Sequence, residues 1–440
     1  MNTLLLLAAL AAQPVLAISG GTLVDGAGGP AVPDAVVVIE GERIRAAGPR
    51  DRVPVPEGAR VLDAKGKWVT PGLVDAHVHF FQSAGLYTRP DVIDLRAKVP
   101  YADELKSIRE RLPATFRRWL RSGVTATVDV GGPMWNFEVR ELARKTEAAP
   151  RVAVAGPLVS TYAPAALQTD DPAIIKVADA DEARALVRRE AERKPDLVKI
   201  WFIVSRGGRL DALRPIVRAA VEESHARGIR VAVHATELET ARAAVECGCD
   251  VLVHSVDDRA VDDAFAALLK EKGVIYTTSM VVFEGYAEVL GGKVDLIDVE
   301  RAWGDPKAIA SWAELPDGPR RTRAVPKRTL LSNLKRLHDA GVVVAAGTDA
   351  GNIGTLHGPS LHRELELMAE AGLTPAQVLV AATRNGARVF AREPEFGTVA
   401  AGKLADLLVL DADPLADVKH LRKIAHVVKG GRVFAPGELE

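Results

Sequence analysis

The 440-residue chain has almost no cysteine, almost no net charge and no apolar run long enough for a membrane span. Its two cysteines, Cys247 and Cys249, are separated by a single glycine. A disulfide across so short a loop would be strained. Two buried free thiols are therefore expected where a helix gives way to a strand, and a thiolate metal site is not. Lysine plus arginine number 57 against 58 aspartate plus glutamate, a formal charge of −1. That balance gives no global electrostatic case for binding nucleic acid or an anionic membrane. Arginine-rich patches such as Arg117, Arg118 and Arg121, or RRTR at 320–323, read as solvated faces. No low-complexity segment or short repeat is present.

The first residues, MNTLLLLAALAAQPVLA, fall short of the ~20 needed to cross a bilayer. They end in Val15-Leu16-Ala17, with small residues where a signal peptidase reads. Residues 1–17 are thus expected to be a signal peptide, cleaved after Ala17, that sends the protein to the periplasm or outside the cell. The run carries no lysine or arginine, and a first β-strand is the competing reading. No twin arginine precedes it, which points to export before folding.

The length suits a barrel of about 250 residues or more plus an accessory domain. Short apolar runs alternate with turns over 18–68, and the same texture returns from 396 to 440. The simplest arrangement joins both ends into one small β-sandwich beside a central barrel at 69–395. Within it, eight strand-like runs, VDAHVHF, VTATVDV, RVAVAGP, LVKIWF, RVAVHAT, VLVHSV, VIYTTSM and VVVAAGT, are followed by helical segments. The spacing predicts helices over 101–122, 137–146, 180–194, 210–227, 237–247, 261–272, 325–340 and 360–371. Eight such units argue for a (β/α)8 TIM barrel, whose functional groups sit at the carboxy ends of its strands.

Those strand ends carry the chemistry. His77 and His79 end the run VTPGLVDAHVHF. In an extended strand, residues i and i+2 face the same side, so both imidazoles can converge on one cation. Lys199 closes DLVKIWF, His234 closes IRVAVHAT, His254 closes DVLVHSV and Asp349 closes GVVVAAGTDAG. Imidazole and carboxylate suit zinc and related divalent ions, whereas a lysine ammonium does not.

This ordered set, His-x-His, Lys, His, His, Asp, resembles the amidohydrolase superfamily of metal-dependent hydrolases. The resemblance covers residues 18–431 and includes GGTLVDGAG, PGLVDAHVH, GTDAG and GTVAAGKLADLLVLDADP. The stretch HGPSLHRELELMAEAGLTPAQVLVAAT is most similar to the imidazolonepropionase-like and prolidase-like branch. The resemblance implies the same barrel and sandwich, and two divalent ions, zinc by default, although manganese, cobalt or iron fit the same donors. It implies that carbon dioxide carboxylates Lys199 and that the carbamate bridges the metals. His77, His79 and Asp349 would hold one ion and His234 and His254 the other. A shared hydroxide, formed near neutral pH, would attack a carbonyl. Asp349 would then carry its proton to the leaving nitrogen.

Candidate substrate residues are Gln82, Tyr87 and Arg89 after the first strand, Arg206 after the fourth, and His357, His362 and Glu364 after the eighth. Prolidase-like relatives often carry a tyrosine after the lysine strand. WFIVSRGG offers Trp201, Phe202, Ser205 and Arg206 instead, which weakens the transfer of dipeptidase activity. Arg206 as a carboxylate clamp would favour N-acyl amino acids or dipeptides. The loop FFQSAGLYTRPDVIDLR and the 285–323 segment, with Trp303 and Trp312, read as substrate-contacting, the latter as a folded lid. His225, His338, His420 and His426 read as structural or exposed.

The expected activity is hydrolysis of a C–N bond in a small amide, dipeptide, N-acyl amino acid or cyclic amide. The alternatives are a lactonase, esterase or phosphotriesterase with the same centre, and, more remotely, a non-catalytic binding protein on the same fold. The partner is a small molecule, and the sequence leaves a homo-oligomer open.

Overall fold

The structure is a computed structural model that describes residues 15–204, 208–316 and 325–440. Most of the expected leader, Arg206 and the end of the 285–323 segment lie outside the described residues. Both chain ends build one hydrogen-bonded sheet of eight strands. Its centre is the antiparallel pairing of Trp68–Pro71 with Leu407–Leu410. The strand Val15–Leu23 starts three residues before the expected cleavage point and pairs with Val32–Glu40. Inward residues such as Ile18, Val37, Val69 and Val409 form a core of their own.

The barrel strands are Leu73–Val78, Val124–Asp129, Arg151–Val154, Leu197–Trp201, Arg230–His234, Val251–Val253, Ile275–Thr277 and Val344–Ala345, one in each expected run. The third position is split. Arg151–Val154 pairs with the second strand, and Leu158–Ser160 pairs with the fourth. The break falls at Pro157, which has no N–H to give to a ladder. Backbone bonds Ala76 N to Ala346 O (3.0 Å) and His79 N to Ala350 O (2.8 Å) join the first strand to the eighth.

The strand interiors read as unbroken apolar runs because both faces are covered. Val128, Ala232, Val253 and Ala345 fill the barrel interior, while Val198, Ile200, Val233 and Leu252 pack outward under the helices. The interior is thus a packed core and not a pore.

Helices form where expected, with one difference. The 101–122 segment is two helices, Tyr101–Glu110 and Leu112–Arg121, because Pro113 cannot continue the ladder of the first. The 285–323 segment is folded where described, with helices Val281–Leu290, Asp298–Trp303 and Pro306–Ser311. Trp312 is buried, and its indole N–H donates to Ala84 O at 2.9 Å, pinning the segment to the loop after the first strand. Cys247 and Cys249 are buried free thiols. No helix among the described residues is long and apolar enough to cross a membrane.

Candidate metal centre

Parallel pairing sets the depth of each group. Trp201, His234, Val253, Thr277 and Ala345 lie in one register across strands four to eight. Lys199 sits two residues deeper on the same face as Trp201, and His254 one residue past Val253. Gly347 lets the eighth strand close onto the first, since a Cβ there would meet Thr277 Cγ2 at 2.5 Å and His77 Cβ at 2.8 Å.

Of the six expected ligands, His79, Lys199, His234, His254 and Asp349 line one cavity, and buried His77 stands against them. Asp349 Oδ1 lies 3.3 Å from His77 Nε2 and 3.2 Å from His79 Nε2, and Oδ2 lies 3.8 Å from His254 Nε2. Ligand atoms of His77, His79 and Asp349 all fall within 4.8 Å of one another, a spacing that one ion can bridge. The His254 ring centroid is 4.6 Å from that of His77 and 4.4 Å from that of His234. Lys199, 1% exposed, completes the floor.

Three buried atoms here, His77 Nε2, Asp349 Oδ1 and Lys199 Nζ, have no hydrogen-bond partner. A buried polar atom without a partner costs about 1–3 kcal/mol, so this cluster calls for a bound group. The donor set of imidazoles and a carboxylate fits a divalent metal.

Hydrogen bonds from the surroundings orient the first-strand histidines. His79 Nδ1–H donates to Gly131 O at 2.7 Å, which leaves the Nε2 lone pair facing the floor. His77 Nδ1 pairs with Ser279 Oγ at 2.9 Å. Burial, with Lys199 and neighbouring imidazoles adding to it, holds His77 well below the usual histidine range. Burial does the same to His254, so both rings are neutral at pH 7. Burial also brings the Lys199 ammonium down to about 7, with Asp349 opposing the shift.

Asp349 is held in a left-handed backbone conformation, φ +62°, as are His254 (+77°) and Ser279 (+49°). Such conformations cost roughly 1–3 kcal/mol and persist only where neighbours impose them. The restraint on Asp349 is visible. Asp75 accepts hydrogen bonds from Thr348 N (3.0 Å), Thr348 Oγ1 (2.6 Å) and His77 N (3.3 Å). Thr348 Oγ1 in turn accepts from Ala350 N at 3.0 Å, which brackets Asp349 on both sides. Burial pushes the Asp75 carboxyl up to about 8.

Above the floor is a cavity of about 430 Å³, within the range of small-molecule sites. Of the expected substrate residues, Gln82 and Arg89 line it, and buried Gln82 Oε1 has no partner. Four others, Tyr87, His357, His362 and Glu364, are not among its lining residues. Tyr87 is turned outward, where its hydroxyl donates to Glu314. His357 stacks on Phe80 and donates from Nε2 to His79 O at 3.0 Å, so it supports the ligand strand from behind. His362 donates to Ser122 O at 3.0 Å and packs edge-on against Trp303. Glu364 is likewise structural, accepting from Thr278 Oγ1 and from Val281 N.

The cavity is also lined by five polar residues that the sequence did not single out, Thr236, Glu237, Asp257, Tyr286 and Asn352. Asn352 follows Asp349 by three residues, a signal that was available. Tyr286 sits in a segment that reads as loop, and only its helix turns it inward.

Comparisons agree with this geometry. A family model described as "Amidohydrolase family" matches residues 68–434. An imidazolonepropionase of Rubrobacter xylanophilus is 28% identical over 430 residues, covering 92% of this chain and 91% of that protein. A solved structure of molinate hydrolase is 25% identical, with a TM-score of 0.71, and covers 97% of this chain and 96% of that one. A Xaa-Pro dipeptidase structure with bound methionine, 23% identical, shares the fold, with a TM-score of 0.72 over 96% of this chain and 100% of that one. With a model matching most of its length and the metal-ligand set on its strand ends, this chain belongs to the amidohydrolase family and is a metal-dependent hydrolase of carbon–nitrogen bonds.

Proposed function

We propose that the protein is a binuclear amidohydrolase that cleaves the C–N bond of a small amide, dipeptide, N-acyl amino acid or cyclic amide. The observation that carries this reading is the trio of buried, unpartnered atoms, His77 Nε2, Asp349 Oδ1 and Lys199 Nζ, at the base of a substrate-sized cavity that Lys199 and Asp349 line. His77, His79 and Asp349 would hold one ion and His234 and His254 the other, with Lys199 as the residue that would be carboxylated between them. Two divalent ions, zinc by default, would supply an activated water and Lewis-acid polarisation of the carbonyl.

The protein groups have separate tasks. The Lys199 ammonium first loses a proton; the neutral amine then adds to the carbon of CO2, an N–C bond forms as one C–O π bond breaks, and a second N–H proton leaves, which gives an anion with two oxygens. The lowered pKa of Lys199 favours the neutral amine. Asp349 turns Oδ1 toward His77 and His79 and leaves Oδ2 to take a proton and return it to the departing nitrogen. Gln82, whose buried Oε1 has no partner, orients the polar part of the substrate beside the wall of Arg89, Tyr286 and Asn352.

The test is product release by the zinc-reconstituted protein on matched dipeptides, N-acyl amino acids, cyclic amides and lactones, with Asp349→Asn as control. Turnover of an amide that is lost in the control supports the reading. Turnover of lactones or esters alone would assign the centre to the other bond type. We also propose export by residues 1–17. Amino-terminal sequencing of the mature protein should begin at Ile18, and recovery of intact residues 1–17 would remove the proposal.

A further inference from the structure

Two walls of the cavity over the metal centre are unlike, and Thr236, Glu237 and Asp257 line it elsewhere. One is polar and closed on itself. Arg89 gives Nε and Nη2 to Asp91 (2.8 and 2.7 Å) and Nη1 to Tyr286 OH (2.9 Å) and Asn352 Oδ1 (2.6 Å). Tyr286 OH donates to the same Asn352 oxygen at 2.7 Å. The Arg89 charge is thereby balanced by Asp91, and most of its hydrogen bonds are spent within the wall.

The other side is apolar. Leu158 and Leu167, Ile174, Trp201, Ile203 and Val204, from the loops after the third and fourth strands, line it without a charged group among them. It continues to the rim, where Tyr162, 41% exposed, tilts its ring against Trp201 with centroids 6.0 Å apart. Trp201 in turn meets the His234 ring edge-on at 5.9 Å. A continuous apolar strip thus runs from solvent to a ligand histidine. An apolar surface facing water at the mouth of a site marks the place where an apolar group is to be buried.

We propose that the substrate carries a bulky uncharged group, an aromatic ring or a branched aliphatic chain, which lies against the Leu158–Leu167–Ile174–Ile203 wall, and that this wall determines selectivity. The inference rests on the hydrolase reading for its scissile bond but not for its binding energy. Burial of each methylene is worth roughly fourfold in affinity, so discrimination grows with the size of the group until the wall is filled.

Two measurements on the full chain keep the readings apart. The first is binding by calorimetric titration of acetamide, isovaleramide and 4-phenylbutyramide to the protein. Affinity should rise at least about tenfold from the smallest to the largest, and Ile203→Asn should erase most of that rise. Leu167→Ala, a milder change, should lower the ratio in the same direction. The second is kcat/KM of the zinc-loaded protein on p-nitroanilides of the same three acids and on acetamides of amines of matching size. A size gradient in one of the two series shows which side of the bond the apolar group occupies. Binding that rises with size without cleavage upholds the wall and overturns the hydrolase reading. Cleavage at equal kcat/KM along both series, with flat affinities, overturns the wall and leaves the hydrolase standing.

Discussion

Two clefts of similar size lie at opposite ends of the barrel. The upper one, about 430 Å³, opens over the strand ends, and the other, about 340 Å³, lies between the barrel base and the terminal sheet. In the upper cleft buried polar atoms stand without partners. In the lower one every lining arginine has a carboxylate: Arg144 with Glu141, Arg151 with Asp406, Arg392 with Glu395 and Arg432 with Glu147. Lys429 lies 3.9 Å from the Asp406 oxygen that Gly430 N also meets at 2.8 Å. The difference separates a site from a joint. Charges that are satisfied within the protein, such as Arg151 with Asp406 and Arg432 with Glu147, tie the barrel base to the terminal sheet, while donors and acceptors left over await a ligand.

Substitutions should respect that division. At the top, Asp349→Asn should cut kcat/KM on amides by about 10² to 10⁴-fold with a smaller loss on activated esters, and leave the melting temperature near its starting value. Equal losses on both substrate types would remove the shuttle role. At the base, Asp406→Ala leaves the partly buried Lys429 and Arg151 without their anion and should cost about 2–3 kcal/mol of stability in denaturant unfolding. The remaining folded protein should keep its turnover number. A variant that keeps stability but loses activity would break the comparison.

A third prediction concerns pH. Burial holds His362 down at about 4, against 6.5 when exposed. The unfolded chain therefore binds a proton below 6.5 that the folded chain refuses until about 4. Stability falls as pH drops through that window, by up to roughly 3 kcal/mol from this one group. His362→Gln, which keeps a donor toward Ser122 O, should flatten that part of the stability curve. The smallest expected effect is at Ser279, whose hydroxyl orients His77. Ser279→Ala should weaken zinc affinity by about 10- to 100-fold in a chelator competition, with the fold unchanged.

The strand ends were legible because a two-residue period fixes which face a side chain takes, and a run of β-branched residues fixes where the strand stops. His77, Lys199 and His234 lie within their strands and were placed this way, whereas His254 and Asp349 lie past theirs in left-handed backbone (φ +77° and +62°) that a two-residue period does not describe. Residues farther beyond the strands were not placed, since the turn after the eighth strand depends on Gly351 (φ +107°) and Gly358 (φ +97°). Those turns send His357 behind the first strand and His362 toward Ser122, away from the cavity. Tyr286 escaped notice for a similar reason. Its helix is short, and it enters the cavity only because it packs across the barrel mouth.

The order of six metal-binding residue types, the eight alternating strands and helices, and the return of the chain's end to its beginning were determined by the sequence alone, because local periodicity and residue chemistry carry them. The tertiary structure alone decided that His77 and Asp349, 272 positions apart, stand 3.3 Å from each other with unpartnered atoms between them. It also decided that one cavity wall is polar and the other apolar. Those are relations between loops from different strands, and only barrel packing sets the distance between them.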